Sequence, residues 1–175
     1  AGATLGAPQQ IATGWNGYTA VLGGFDFDGD GKPDVIARDA AGALWLYRAD
    51  GAGGWISATP TQIGNGWASF TSIFCGGNFD GQGGVDILAR AANGVLWLYP
   101  GDGRGGFGTP RASDAGWNGF TALFSPGNFD GLAGPDVFAR SADGRLYMYS
   151  GTGAGTFNQQ FKLVDSGWNT MWWIG

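Results

Sequence analysis

Residues 26–38 read Asp26-Phe27-Asp28-Gly29-Asp30-Gly31-Lys32-Pro33-Asp34-Val35-Ile36-Ala37-Arg38. Carboxylates stand at positions one, three, five and nine of a glycine-punctuated loop, and an apolar run follows at once. The short apolar runs Tyr18 to Phe25 and Val35 to Arg38 read as two strands joined by that loop, because Gly, Pro and Asp mark strand ends. A third run, Ala43 to Tyr47, alternates Leu44 and Leu46 with Trp45 and Tyr47, the period of two that a strand imposes. The segment Trp55 to Ile63 is less apolar and holds Pro60, which suits an outer edge strand. The unit is a four-stranded antiparallel meander.

The same unit is written three times. NFDGQGGVDILAR stands at 78–90 and NFDGLAGPDVFAR at 128–140, followed by VLWLY at 95–99 and RLYMY at 145–149. Each unit opens on a Gly-Trp pair, and Trp15, Trp67, Trp117 and Trp168 follow one another at steps of 52, 50 and 51 residues. The 175 residues therefore divide into complete units at 14–65, 66–115 and 116–166, with a partial unit end at 1–13 and a partial unit start at 167–175. A small meander has two apolar faces and buries neither alone, so neighbouring units must stack. The expected fold is all-β: radially stacked β-propeller blades, preferred over a linear solenoid because solenoid coils are usually much shorter than fifty residues.

Composition agrees with that reading. The 36 glycines and 15% aromatic residues suit short strands and tight turns, and all 14 acidic residues are Asp, a turn and metal-loop residue, with no Glu to clothe helices. Nine basic residues form no tract and the net charge is −5, so neither nucleic acid nor an anionic membrane finds a footprint. No apolar run is long enough to span a bilayer, and Ala1 in place of Met suits a processed or a trimmed start. The single Cys75 lies in the apolar run Phe70 to Cys75 and reads as a buried, inert thiol.

The first loop has the donor set of a hard cation. Asp26, Asp28, Asp30 and Asp34 offer side-chain oxygens, Lys32 at position seven offers its backbone carbonyl with its ammonium left to solvent, and Gly29 and Gly31 permit the curl. Calcium suits this set better than magnesium, which keeps its water and demands a strict octahedron. The second loop presents Asn78, Asp80, Gln82 and Asp86, a weaker set. The third keeps Asn128, Asp130 and Asp136 but has Leu132 at position five, which removes an oxygen. Without metal, these residues would make Asx turns.

The motif DxDGDGxxD between two short strands, repeated about every fifty residues, resembles the FG-GAP or VCBS repeats of integrin α-subunit propellers and of many secreted bacterial proteins, and is similar to fungal propeller lectins. The resemblance covers essentially the whole chain. It implies a secreted β-propeller with calcium in its first hairpin loop, usually of seven blades, and relatives that bind sugars, adhere to proteins or accompany enzymes. Three blades are too few to close a ring. The chain is thus expected to belong to a larger propeller or to associate with further copies, a dimer being suspected because twice 175 residues approaches a seven-blade length.

Catalysis is not expected: there is no His, and no nucleophile stands beside a base. Binding is. Aromatic platforms beside Asp and Asn suit sugar C–H faces and hydroxyls, so Trp15, Trp67, Trp117 and Trp168 are the candidate carbohydrate contacts, with blade packing as their alternative use. Glycan or glycoprotein is the favoured ligand; a protein-adhesion or structural module appended to a secreted enzyme is the alternative. Arg38, Arg90 and Arg140 are expected to pair with Asp34, Asp86 and Asp136.

Overall fold

Twelve strands form three sheets among the described residues, which are 6–158 and 162–168 of a computed structural model. The first sheet holds β1 (Tyr18–Phe25), β2 (Asp34–Asp39), β3 (Leu44–Tyr47) and β4 (Thr61–Gly64). The second holds β5 (Phe70–Cys75), β6 (Ile87–Ala91), β7 (Leu96–Tyr99) and β8 (Arg111–Asp114). The third holds β9 (Phe120–Gly127), β10 (Gly134–Ser141), β11 (Leu146–Gly151) and β12 (Lys162–Asp165). In each, strands lie in sequence order and pair antiparallel with their neighbours. The outer strand is shorter than the sequence suggests: Trp55 bridges back to Ala49, and regular pairing starts only after Pro60, at Thr61.

The register repeats with the sequence. Val21 opposes Ala37, Ile73 opposes Ala89 and Leu123 opposes Ala139, so equivalent residues occupy equivalent places in the three sheets. Between β3 and its homologues and their neighbours the alternation holds, with Leu44 and Leu46 buried and Trp45 and Tyr47 half-buried.

The hydrophobic cores lie between sheets rather than within them. One gathers Leu22, Phe27, Ile36 and Leu46 of the first unit against Trp67, Ile73 and Ile87 of the second. The next gathers Phe74, Phe79, Leu88 and Leu98 against Trp117, Leu123, Val137 and Phe157 of the third. Each such side chain contributes about 1.5–3 kcal/mol on burial, so the stacking of units is the principal source of stability. A third cluster, Phe138, Leu146 and Met148 with Phe124 and Trp168, has no fourth sheet over it among the described residues. No ring closure is found among them. Of the two end pieces, residues 1–5 and 169–175 lie outside the described residues.

Candidate functional site

Loop one begins where β1 ends and closes where β2 begins. Asp26 turns inward on the curl that Gly29 and Gly31 make at φ 81° and 84°. Its Oδ1 accepts the amides of Gly29 at 2.7 Å and Asp30 at 3.2 Å, and its Oδ2 accepts that of Gly31 at 2.8 Å. Asp28 accepts the Asp30 amide at 3.1 Å and the Arg48 Nε at 3.0 Å. Oxygens of Asp26, Asp28 and Asp34 all lie within 4.8 Å of one another. Arg48 offsets part of the negative charge of this trio, and oxygens that accept a single amide, such as Asp26 Oδ2, keep a lone pair to offer. The residues therefore fit a hard cation.

Two details differ from the sequence expectation. Lys32 does not leave its ammonium in solvent: Nζ pairs with Asp30 Oδ2 at 3.1 Å, and the Lys32 amide donates to Asp30 Oδ1 at 2.9 Å. The Lys32 hydrogen bond lowers the Asp30 carboxyl below its ordinary value, and Asp30 is not among the three carboxylates that converge. The arginines, too, find other partners. Arg38 donates from Nε to Thr19 Oγ1 at 3.0 Å and from Nη1 to the Trp67 and Phe70 carbonyls at 3.1 and 3.0 Å, rather than to Asp34. Arg90 repeats this on Thr71, Trp117 and Phe120, and Arg140 on Thr121 and Trp168. The guanidinium fork reads the backbone of the next unit, which side-chain identity alone does not reveal.

Asp34 instead brackets its own sheet. Buried to 1% exposure, it accepts the Phe27 amide at 3.1 Å and the Ala49 amide at 3.0 Å, tying the loop to the end of β3. Asp86 does the same with Phe79 and Gly101, at 2.7 and 2.8 Å, and Asp136 with Phe129 and Gly151, at 2.8 and 3.0 Å. Burial pushes the Asp86 carboxyl up to about 6 against the pull of those amides. The ninth position is thus a structural clamp in all three units, and in the first it also belongs to the convergent carboxylate trio.

The second and third loops close on themselves. Asn78 Nδ2 donates to the Gln82 carbonyl at 3.1 Å and Asn128 Nδ2 to the Leu132 carbonyl at 2.9 Å. Asp80 is held by Arg111 Nη2 at 3.0 Å, and Asp130 accepts from Ser150 Oγ at 2.6 Å. Gln82 donates its amide to Asn78 and Asp80. Protein donors hold these oxygens as they do in loop one; what sets the second and third loops apart is composition, with Asn at position one and Gln or Leu at position five in place of Asp.

The unit-opening tryptophans separate into two kinds. Trp67 and Trp117 are 3% and 2% exposed and pack at a tilt on Tyr99 and Tyr149, with ring centroids 4.2 and 4.6 Å apart, which removes both from the sugar platforms expected of them. Their amides dock on the preceding unit, Trp67 N–H on the Gly42 carbonyl and Trp117 N–H on that of Gly94, at 2.9 and 3.1 Å. Trp168 makes the same bond to Gly144 at 2.9 Å and is half-buried. Trp15 is half-buried between Tyr47 and Trp55, with ring centroids 4.6 and 5.9 Å away.

Stacked four-stranded meanders whose cores lie between sheets are β-propeller blades. The family model for the FG-GAP-like repeat matches residues 26–89, from the first acidic loop into β6, so this stretch is similar to an FG-GAP-like repeat. A chain of the Photorhabdus luminescens Tc holotoxin pore is similar in structure, with a TM-score of 0.51 and 17% identity. The match covers 82% of this chain and 7% of that one, and at this identity it speaks for the fold alone. No curated protein matches the chain. Among the described residues no helix is long and apolar enough to cross a membrane.

Proposed function

We propose that the chain is a calcium-braced propeller module of a secreted protein that acts by binding or scaffolding other proteins rather than by catalysis. The carrying observation is the convergence of Asp26, Asp28 and Asp34 within 4.8 Å at the mouth of the first hairpin, where the other two loops have Asn in place of Asp at position one. Calcium would be held by these three, with Asp30 joining when Lys32 releases it. Bound there, the ion supplies a cross-link between the ends of β1 and β2 and stabilises only the folded state. Binding is supported by a chain without His and by acidic groups committed to loops and clamps. Protein contacts are favoured over glycans because Trp67 and Trp117 are spent on blade packing. Secretion follows the family resemblance.

Thermal melting with chelator and with added calcium tests the brace. The melt should fall in chelator and recover with calcium but not with equimolar magnesium; an unchanged melt overturns the metal reading. A glycan array at high protein concentration tests the ligand class, and a specific glycan signal would overturn the preference for protein partners.

A further inference from the structure

The two internal junctions are built from one repeat but are not tied equally. Both carry the same backbone bond, Gly105 N–H to the Phe27 carbonyl at the first and Gly155 N–H to the Phe79 carbonyl at the second, each at 2.8 Å. The second adds side-chain ties. Ser113 Oγ donates to the Gly155 carbonyl at 2.5 Å and Asn118 Nδ2 to the Ala92 carbonyl at 3.2 Å. Arg111, which holds Asp80 at 3.0 Å, also reaches across to the Ala154 carbonyl at 3.5 Å. Ile63, Ala68 and Thr61 stand at the equivalents of Ser113, Asn118 and Arg111 in the first junction, and the first two have no side-chain polar group to offer. Arg48 pairs with Asp28 inside its own blade.

Packing follows the same division. Gly76 lies so close to Ser125 of the third unit that a Cβ on it would overlap that side chain, and one on Gly77 would lie 3.2 Å from the Pro135 ring. The equivalent of Gly76 at the first junction, Gly24, is exposed, and a Cβ there would meet nothing within 4 Å. Phe157 and Asp80 are 5% and 7% exposed at the second junction, whereas the equivalent Phe107 and Asp28 are only half-buried at the first. One feature runs the other way: Trp117 Nε1 is buried at the second junction without a hydrogen-bond partner. An unpaired donor costs about as much as one or two hydrogen bonds supply, so the Arg111 bridge and the closer packing leave the second junction the firmer. Each junction has a complete unit on both sides, so the difference does not depend on what stands beyond either end.

We propose that the stack opens at its first junction while the second stays shut, and that ion occupancy of the acidic loop closes the first. The second clause rests on the calcium reading above. The loop is one wall of this junction: Phe27, whose carbonyl takes the Gly105 amide, stands between Asp26 and Asp28 of the trio, and a Cβ on Gly29 would lie 2.5 Å from the Gly103 carbonyl. A cation that fixes Asp26, Asp28 and Asp34 also fixes the backbone that the turn at 102–106 must meet. It therefore binds the closed junction better than the open one, which is the differential affinity that coupling requires.

Hydrogen exchange of the Gly105 and Gly155 amides in the 175-residue chain reads both junctions, since the two bonds are equivalent and equally long. In chelator the Gly105 amide should exchange about tenfold or more faster than Gly155, after correction for neighbouring residues. Ala68→Asn, which supplies the first junction with the amide that Asn118 gives the second, should slow Gly105 severalfold. Ser113→Ala should speed Gly155 and leave Gly105 as it was. Added calcium should slow Gly105 severalfold and leave Gly155 unchanged. Equal rates in chelator, or a faster Gly155, would overturn opening at the first junction. If calcium raises the melt but slows both amides alike or neither, the coupling is overturned and the brace stands. If calcium changes neither melt nor exchange, the calcium reading has failed and the coupling with it, while the rates in chelator still decide where the stack opens.

Discussion

The Gly105 N–H of the second blade donates to the Phe27 carbonyl of the first at 2.8 Å, within the acidic loop itself. Gly105 lies at φ 86°, and a Cβ there would clash with Leu46 at 2.8 Å. Gly105→Ala should therefore add left-handed strain and a steric contact at one spot, for a loss of about 2–4 kcal/mol. Gly53→Ala, with the same backbone but open space around it, should lose only the strain, about 1 kcal/mol. Denaturant unfolding of the two variants measures the difference, and equal losses would show that the junction contributes nothing at this point.

Arg90 joins the second and third blades by donating to the Trp117 and Phe120 carbonyls at 3.1 and 2.8 Å. Hydrogen bonds from a charged group are stronger than neutral ones, and truncation leaves two carbonyls at a half-buried junction. Arg90→Ala should cost about 2–3 kcal/mol by the same measure. Arg90→Lys should recover little, because an ammonium cannot fork to two carbonyls while also reaching Thr71. Full recovery by Lys would mean that charge, not geometry, is what the site requires.

The period, the four-stranded unit and the acidic loop were legible in the amino-acid sequence, because each rests on local chemistry: alternation, glycine and Asp at fixed offsets. What escaped was long-range. Nothing about Arg38 announces that its guanidinium serves backbone carbonyls 29 and 32 residues away, since every residue offers the same carbonyl. The clamp made by Asp34 on Ala49 was hidden too, although a signal existed: Asp persists at position nine in Asp86 and Asp136 while positions one and five change. A ligand that stays after its fellow ligands have gone is holding something else. The burial of Trp67 and Trp117 was open to either reading until their neighbours were placed.

Calcium-linked stability should belong to the first loop alone. Binding to the folded state raises stability by about 2.7 kcal/mol at a hundredfold excess over Kd. Asp26→Ala should abolish the calcium-dependent shift in melting temperature, since it removes a member of the convergent trio. Asp80→Ala should leave that shift intact while lowering the melt with and without calcium alike, because Asp80 is held by Arg111 at 3.0 Å. Loss of the calcium response in both variants would show that the second loop also binds.

Asp136 offers the cleanest view of the clamp, being fully buried and remote from the acidic trio. One oxygen takes the Gly151 amide at 3.0 Å and the other the Phe129 and Asp130 amides at 2.8 and 3.0 Å. Asp136→Asn keeps one acceptor and turns a second donor toward amides that need an oxygen, so one side of the clamp is lost. The expected cost is about 1–3 kcal/mol, the penalty for a buried group left without its partner. Hydrogen exchange should localise it: the Gly151 amide or the Phe129 and Asp130 amides should lose protection, one set or the other according to which way the new amide turns. Uniform loss across all three would mean that the third blade has opened as a whole rather than at its clamp.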